Sequence, residues 1–263
     1  MGGCGEASGH PAGGLNAWTV GRRAAQRSMN TGATKRKMRA PQRSMRIKLS
    51  DHSGARRAEM VYLSIREAIR EGSLKPNERL TEREVAAILG VSRTPAREAL
   101  KLLEARGMVS SVSGRGLVIA DLTPENVSEL YTVWEHLEGL AARFAAQRAS
   151  EIDIHNLREI HRMWDIRSGI QALGRLNKQF HQAIYHAANN RHLMSALGGI
   201  DDSLALLGAT TYAVPGRPAE VKKEHAAIVD AIARRDQAGA ESAAQTHIRK
   251  AGRLRMSIMA RRK

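Results

Sequence analysis

The chain has 263 residues, room for two domains of ordinary size, and its 42% hydrophobic content is enough to bury a core. A formal charge of +16 and a pI near 10.8 favour a polyanionic partner, while only 3% aromatic residues argues against modules that read RNA by stacking bases. A single cysteine, Cys4, excludes an intrachain disulfide. Neither a run of about twenty apolar residues nor the apolar stretch of a secretory signal is present, so a cytoplasmic protein with no membrane partner is the simplest reading.

Residues 1–55 read as a disordered basic extension. Up to Arg57 the chain holds twelve Lys or Arg against Glu6 and Asp51, ten of the sixteen net positive charges, with no sustained apolar period. Two readings stay open. The segment is an arm that adds non-specific phosphate contacts, or part of it lies upstream of a true start at Met29, Met38 or Met45.

Residues 56–120 read as a DNA-binding domain. Ala58, Val61, Tyr62, Ile65, Ala68 and Ile69 keep a helical period from Arg56 to Glu71, ended by Gly72. A second helix starts at Thr81, with Glu84 placed to reach back to the Thr81 amide. Gly90 supplies the turn, Ser92 caps a third helix, and Pro95 is tolerated in its first turn. Ala99, Leu100, Leu102 and Leu103 face inward, leaving Arg93, Thr94 and Arg97 on the opposite side. Arg93 and Arg97, four apart, share a face at the end of the helix that enters the major groove in a helix-turn-helix. Arginine bonds guanine bidentately there, and threonine meets phosphate or a thymine methyl. Two arginines on one helix also fit a solvated face. The turn, the caps and the basic hairpin Gly114-Arg115-Gly116, between strands at Val109–Val112 and Leu117–Ile119, favour the DNA reading.

These residues resemble the winged helix-turn-helix of GntR-type bacterial transcription regulators. The matching residues are Leu80, Glu84, Gly90-Val91-Ser92-Arg93-Thr94-Pro95, Arg97-Glu98-Ala99-Leu100, Leu103-Glu104 and Gly107. Ala96 stands where the family usually has valine. The resemblance implies that Arg83, Arg93, Thr94 and Arg97 contact double-stranded operator DNA and that the hairpin Gly114, Arg115, Gly116 reaches the minor groove.

Residues 121–263 read as all-helical. Thr123 caps and Pro124 opens a long helix lined by Val127, Leu130, Tyr131, Trp134, Leu137, Ala141, Phe144 and Ala145. Further helices are predicted at 152–163, 170–188, 192–212, 219–234 and 237–259. With short loops they make an antiparallel bundle of six. The fold class is therefore mainly α: a winged helix-turn-helix with a small β wing, followed by an all-α bundle. Asn177 and His181 share one face of the third helix of the bundle; His225 and His247 lie on the fifth and sixth. Were antiparallel packing to join those helices, three imidazoles and one oxygen ligand would surround a point, which suits zinc, nickel or another first-row ion. A lone helical histidine is more often solvated or a satisfied core residue.

The span from Leu122 to about Arg253 also resembles the FadR C-terminal (FCD) effector domain of the same family. The matching pieces are Leu137-Glu138-Gly139-Leu140-Ala141-Ala142, Asn177 to Ile184, Ala188-Asn189-Asn190, Glu224 to Ile228 and His247-Ile248. The resemblance implies that Asn177, His181, His225 and His247 hold a divalent metal, which in turn holds the carboxylate of a small metabolite, and that the protein is a homodimer and a repressor. Two residues depart from the pattern. Asn177 stands where aspartate is commoner, and Trp134 where many relatives carry an arginine that faces the pocket. Trp134, Arg143 and Arg175 are the candidate effector contacts. Six helices fit the shorter branch of the family, so an acyl-CoA effector is not implied. A metal-dependent hydrolytic enzyme and a non-specific nucleic-acid-binding protein are the alternative functions. Against the enzyme, there is no His-Glu-x-x-His pattern and no nucleophile elbow.

Overall fold

The structure is a computed structural model that describes residues 54–208 and 211–261. The predicted extension, up to residue 53, lies outside the described residues. Nine α-helices and one two-stranded sheet are present among those described. They fall into two compact units, one of residues 54–105 and 109–119, the other of 106–108 and 120 onward.

In the first unit, α1 (Gly54–Arg70) buries Val61, Tyr62, Ile65, Ala68 and Ile69. Helix α2 (Glu82–Leu89) is capped by Thr81, whose oxygen accepts from the Glu84 amide at 3.2 Å. The Thr81 hydroxyl then donates to the Glu84 carboxylate at 2.9 Å, where the sequence reading had the Thr81 amide as donor. The chain leaves α2 through Gly90 at φ 67°, a left-handed conformation that costs glycine little. Helix α3 (Arg93–Ala105) turns Pro95, Ala96, Ala99, Leu100 and Leu103 into the core. Strands β1 (Val109–Val112) and β2 (Gly116–Ile119) pair antiparallel through a three-residue hairpin. The segment before α2 lies along β2, with the Leu80 amide donating to the Leu117 carbonyl at 2.9 Å.

The second unit is a bundle of six helices: α4 (Pro124–Arg148), α5 (Glu151–Arg162), α6 (Ile170–Ala187), α7 (Arg191–Leu206), α8 (Arg217–Ala233) and α9 (Gln237–Ala260). Their starts are written in the sequence. Thr123 with Asn126, and Ser150 with Asp153, form reciprocal capping boxes, and Pro124 occupies the first turn of α4. Asn190 and Asp236 cap α7 and α9. Helix α7 stops at Leu206, six residues before the predicted end. Gly208 takes φ 61°, off the helix, and a short 3-10 turn follows at Thr211–Ala213.

Helices α4 and α9 run antiparallel at close range because small residues line their seam. Ala141, Ala142, Ala145, Ala240 and Ala244 are buried, and a Cβ on Gly252 would come within 2.9 Å of the Tyr131 ring. The main core fills the space among the helices with Phe180, Ile184, Ile228, Ile232 and Ile248. A smaller cluster joins Trp164, Leu173, Tyr212 and Val221. No helix among the described residues is long and apolar enough to cross a membrane.

Candidate functional site

Arg83, Arg93, Thr94 and Arg97 are all exposed, on the side of α2 and α3 opposite the buried residues of those helices. Gly114, Arg115 and Gly116 are exposed at the hairpin tip, both glycines in left-handed conformation. The Arg115 guanidinium lies 3.5 Å from the Asn77 carbonyl. The first unit thus presents a helix N-terminus and a basic hairpin to solvent, with arginines that water solvates until a phosphate or a base edge replaces it.

The second unit gathers three histidines in its interior. His181 on α6, His225 on α8 and His247 on α9 are 5%, 0% and 3% exposed, and a nitrogen from each lies within 4.8 Å of the others. The period of each helix explains this: all three occupy core-facing positions, next to Phe180, Ile228 and Ile248 in sequence or space. Two carboxylates orient the rings. Glu138 on α4, fully buried, lies 2.5 Å from His181 Nδ1, and Glu224 lies 2.7 Å from His247 Nδ1. In a neutral ring such a contact favours the proton on Nδ1 and leaves the lone pair on Nε2.

Three buried atoms of the cluster have no partner, His181 Nε2 and both nitrogens of His225; Asn177 Oδ1, one turn before His181 on α6, is likewise buried and unpartnered. An unsatisfied buried polar atom costs about 1–3 kcal/mol, so a cluster of them marks a place built for something else to fill. Three imidazole nitrogens and an amide oxygen are the donor set of a first-row divalent ion with open positions. The residues present therefore fit a metal.

Electrostatics favour the neutral form of His225 and His247. Burial, reinforced by the charges His247 and His181 would carry, holds His225 well below the ordinary histidine range. Burial also lowers His247, against the opposing pull of Glu224. Glu224 is drawn down to about 2: burial raises it, but hydrogen bonds and charge from His247 and Arg217 outweigh burial. Burial likewise pushes Glu138 up, and His181 and Tyr185 together bring it below the usual carboxylate value.

The three candidate effector contacts separate. Trp134 is in the site, its ring 5.9 Å from that of His181, and its Nε1 donates to Glu138 at 2.9 Å. It therefore positions a carboxylate. Arg143 and Arg175 do not reach the histidines. Arg143 is exposed on α4 and pairs with Glu241 at 3.3 Å. Arg175 is exposed on α6, in a cleft beside Met163 and Ser168, because two residues along a helix turn the side chain far from the Asn177 face. The buried cations of the bundle are instead Arg217, which grips Glu224 with two bonds of 2.9 Å, and Arg255. Sequence reading missed Glu138, Tyr185, Glu224 and Arg217 as functional residues. The available signal was a charged residue on an apolar stripe, as with Glu138 four residues after Trp134.

Fold and site together define a two-part protein: a winged DNA-reading unit and a helical unit with a buried, metal-type ligand centre. Residues 57–119 match the family model described as bacterial regulatory proteins, gntR family, and residues 129–250 match the FCD domain. The chain belongs to the GntR family of DNA-binding transcription regulators, with an FCD domain, and is not an enzyme. It is 29% identical over 192 residues to an uncharacterized HTH-type transcriptional regulator, YdhC, of Bacillus subtilis, covering 71% of this chain and 85% of that protein. It is 28% identical over 217 residues to the Glc operon transcriptional activator of Escherichia coli, covering 73% and 85%. Among solved structures, E. coli McbR/YncC superposes with a TM-score of 0.62 at 21% identity, over 74% of this chain and 94% of that one, which speaks to the fold.

Proposed function

We propose that this regulator binds its operator as a cytoplasmic homodimer, represses, and is released by a small organic acid that docks at a metal held by Asn177, His181, His225 and His247. Residues 56–120 carry the DNA address and residues 121–263 carry effector binding and dimerisation. Arg83, Arg93, Thr94 and Arg97 read the major groove, and the Gly114–Gly116 hairpin reaches the minor groove. The observation that carries the metal reading is the buried trio of His181, His225 and His247, with a ring nitrogen of each within 4.8 Å of the others, His181 Nε2 and both His225 nitrogens without a partner, and carboxylates against the His181 and His247 rings.

The ion, zinc or nickel by donor type, supplies positive charge and open positions for an acid group. The chain's own part is to fix the donors. Glu138 and Glu224 set the tautomers of His181 and His247, and Trp134 and Tyr185 hold Glu138 by bonds of 2.9 and 2.6 Å. An effector that changes the packing of the bundle changes the spacing of two winged units on DNA. A dimer must match its half-sites, so a small change in spacing costs affinity.

Gel shifts with a fragment from the gene's own upstream region test the reading, with metal content measured on the same preparation. A sequence-specific complex and about one ion per chain are expected. Folded, metal-loaded protein that forms no sequence-specific complex at low salt would sink the operator reading. Repression is the part most exposed to test, because one relative is named an activator. A reporter placed behind the upstream region falls when the protein is supplied if the sign is as proposed, and rises if it is not.

A further inference from the structure

Helices α5 and α8 enclose a basic cleft that the metal reading does not use. The Trp164 indole, just past α5, donates to the Pro218 carbonyl in the first turn of α8 at 3.0 Å. The end of α5 therefore lies at the start of α8, and the two helices run antiparallel. Arg158, His161 and Arg162 share one face of α5, and Lys222, Ala226 and Val229 share one face of α8, by their spacing of three and four residues. With Asp230 they line a cleft of about 370 Å³. Spaces of that size take small organic ligands. His161 lies three residues before Trp164 and Lys222 four after Pro218, so the two sit at one level of the cleft. Asp230 is eight residues beyond Lys222, about 12 Å along the helix, which leaves one end of the cleft cationic.

The charges at that end are not equally committed. Arg162 is taken by Glu159. Asp165, which feels the Lys222 charge, is taken by Arg167, whose guanidinium donates to it at 3.0 Å. Arg158 and Lys222 are exposed and have no acid partner among the described residues. Exposed cations by themselves make a solvated face. Two further features make this one a site. The floor is apolar, with Val229 buried and Ala226 half-buried. The half-buried His161 has its Nδ1 enclosed and without a partner. A neutral ring keeps its proton on the nitrogen that can reach an acceptor, and for His161 that is Nε2. Burial and then the Lys222 charge, against the pull of Asp230, favour that neutral form.

The cleft thus offers two uncommitted cations, an imidazole N–H and an apolar floor. A carboxylate brings one charge and two oxygens, too few for that donor set. A phosphate monoester brings close to two charges and three terminal oxygens, and arginine with lysine is its ordinary pairing. We propose that the α5–α8 cleft is a binding site for a small phosphomonoester, with its phosphate on Arg158, Lys222 and His161 and its organic body over Ala226 and Val229. None of these residues is a proposed metal ligand, so the site gives the helical unit a second input, separate from the histidine centre.

Calorimetric titration of the full-length protein at low salt tests this with propyl phosphate, with butanoate, which carries the same propyl group on a carboxylate, and with inorganic phosphate. Propyl phosphate is expected to bind at about one per chain and about tenfold tighter than either of the others, the worth of one charge-assisted bond in the first case and of the buried methylenes in the second. Arg158→Gln and Lys222→Gln should each weaken it at least about threefold, with melting unchanged because both side chains are exposed. Lys223→Gln, the next residue of α8 and outside the cleft, should leave the affinity as it was. Butanoate binding as tightly as propyl phosphate overturns the ligand class, and inorganic phosphate doing so overturns the role of the floor. Affinity unchanged in Arg158→Gln and Lys222→Gln puts the phosphate elsewhere, the histidine centre included, and overturns the site. An equal loss in Lys223→Gln reduces the effect to general surface charge and overturns it too.

Discussion

The two units treat their functional groups in opposite ways. The winged unit leaves Arg83, Arg93, Thr94 and Arg97 in water, where a guanidinium needs no protein partner. The helical unit withdraws its groups from water: His225 is 0% exposed, with neither ring nitrogen satisfied. The first arrangement is complete without its ligand, and binding replaces water by phosphate and base. The second is incomplete as a bare polypeptide, because each unsatisfied atom costs about 1–3 kcal/mol until something fills the centre. Stability in the helical unit is thus coupled to occupancy, and in the winged unit it is not. That asymmetry suits a division between an address and a sensor.

The largest expected effect probes this coupling. A ligand present at one hundred times its Kd adds about 2.7 kcal/mol to the state that binds it. For a unit of this size that is a melting shift on the order of 5–10 °C. Calorimetry of the zinc-loaded and chelated protein should show the helical transition move by that much while the winged transition stays. His225→Ala should bind no ion and should melt alike with and without zinc. If both transitions move together in the wild type, or neither does, the contrast between the units is broken.

The same contrast explains what could be read from sequence. The winged unit was legible nearly residue by residue, because its signals are local: Thr81 and Glu84 three apart, Gly90 at the turn, Arg93 and Arg97 four apart and off the apolar stripe. Helix starts in the bundle were legible for the same reason at Thr123-Pro124 and at Ser150. The end of α7 was not, since Leu204 to Leu207 continues the apolar run into Gly208 without a break in period. In the site, the pairing of Asn177 with His181 is a local fact about one helix. The meeting of His181, His225 and His247 depends on α4 and α9 closing over Gly139 and Gly252, which no spacing reveals. Arg143 and Arg175 lie on α4 and α6 as expected, but one residue of rotation is 100°, and both side chains are exposed. Arg217 sits at the start of α8, where a cation ordinarily reads as solvated, and Arg255 five residues before the end of α9; both are buried.

A smaller effect sharpens the contrast from the DNA side. Arg93→Ala and Arg97→Ala should each cost about 1–3 kcal/mol of operator affinity and relax specificity at the base contacted. Melting of both units and metal content should stay at wild-type values, because neither side chain packs against the core. Competition gel shifts with single-base operator variants measure the specificity. Uniform weakening across all variants, with a reduced salt slope, would reassign the residue to phosphate contact and leave the base reading to its neighbour.

The smallest effect concerns acid, and its sign follows from burial. In metal-free protein His225 is held well below its ordinary value of 6.5, by burial first and then by His247, His181, His161 and Arg217. The unfolded chain therefore binds a proton near pH 6.5 that the folded chain refuses. Stability contributed by the neutral ring is present above 6.5 and is lost as pH falls towards the folded value. The loss reaches about 1.4 kcal/mol per pH unit for one such histidine, and the lowered His247 adds to it. Glu224 acts in a separate window, since its folded value of about 2 lies below the ordinary 4.5, and its share is lost only between those values. Urea unfolding in chelator at pH 7.5 and 5.5 should show the decline, and His225→Leu should remove about one proton's worth of the slope. A slope insensitive to His225→Leu would mean that the ring takes up its proton in the folded chain, and the argument for a centre of neutral imidazoles awaiting an ion would fall with it.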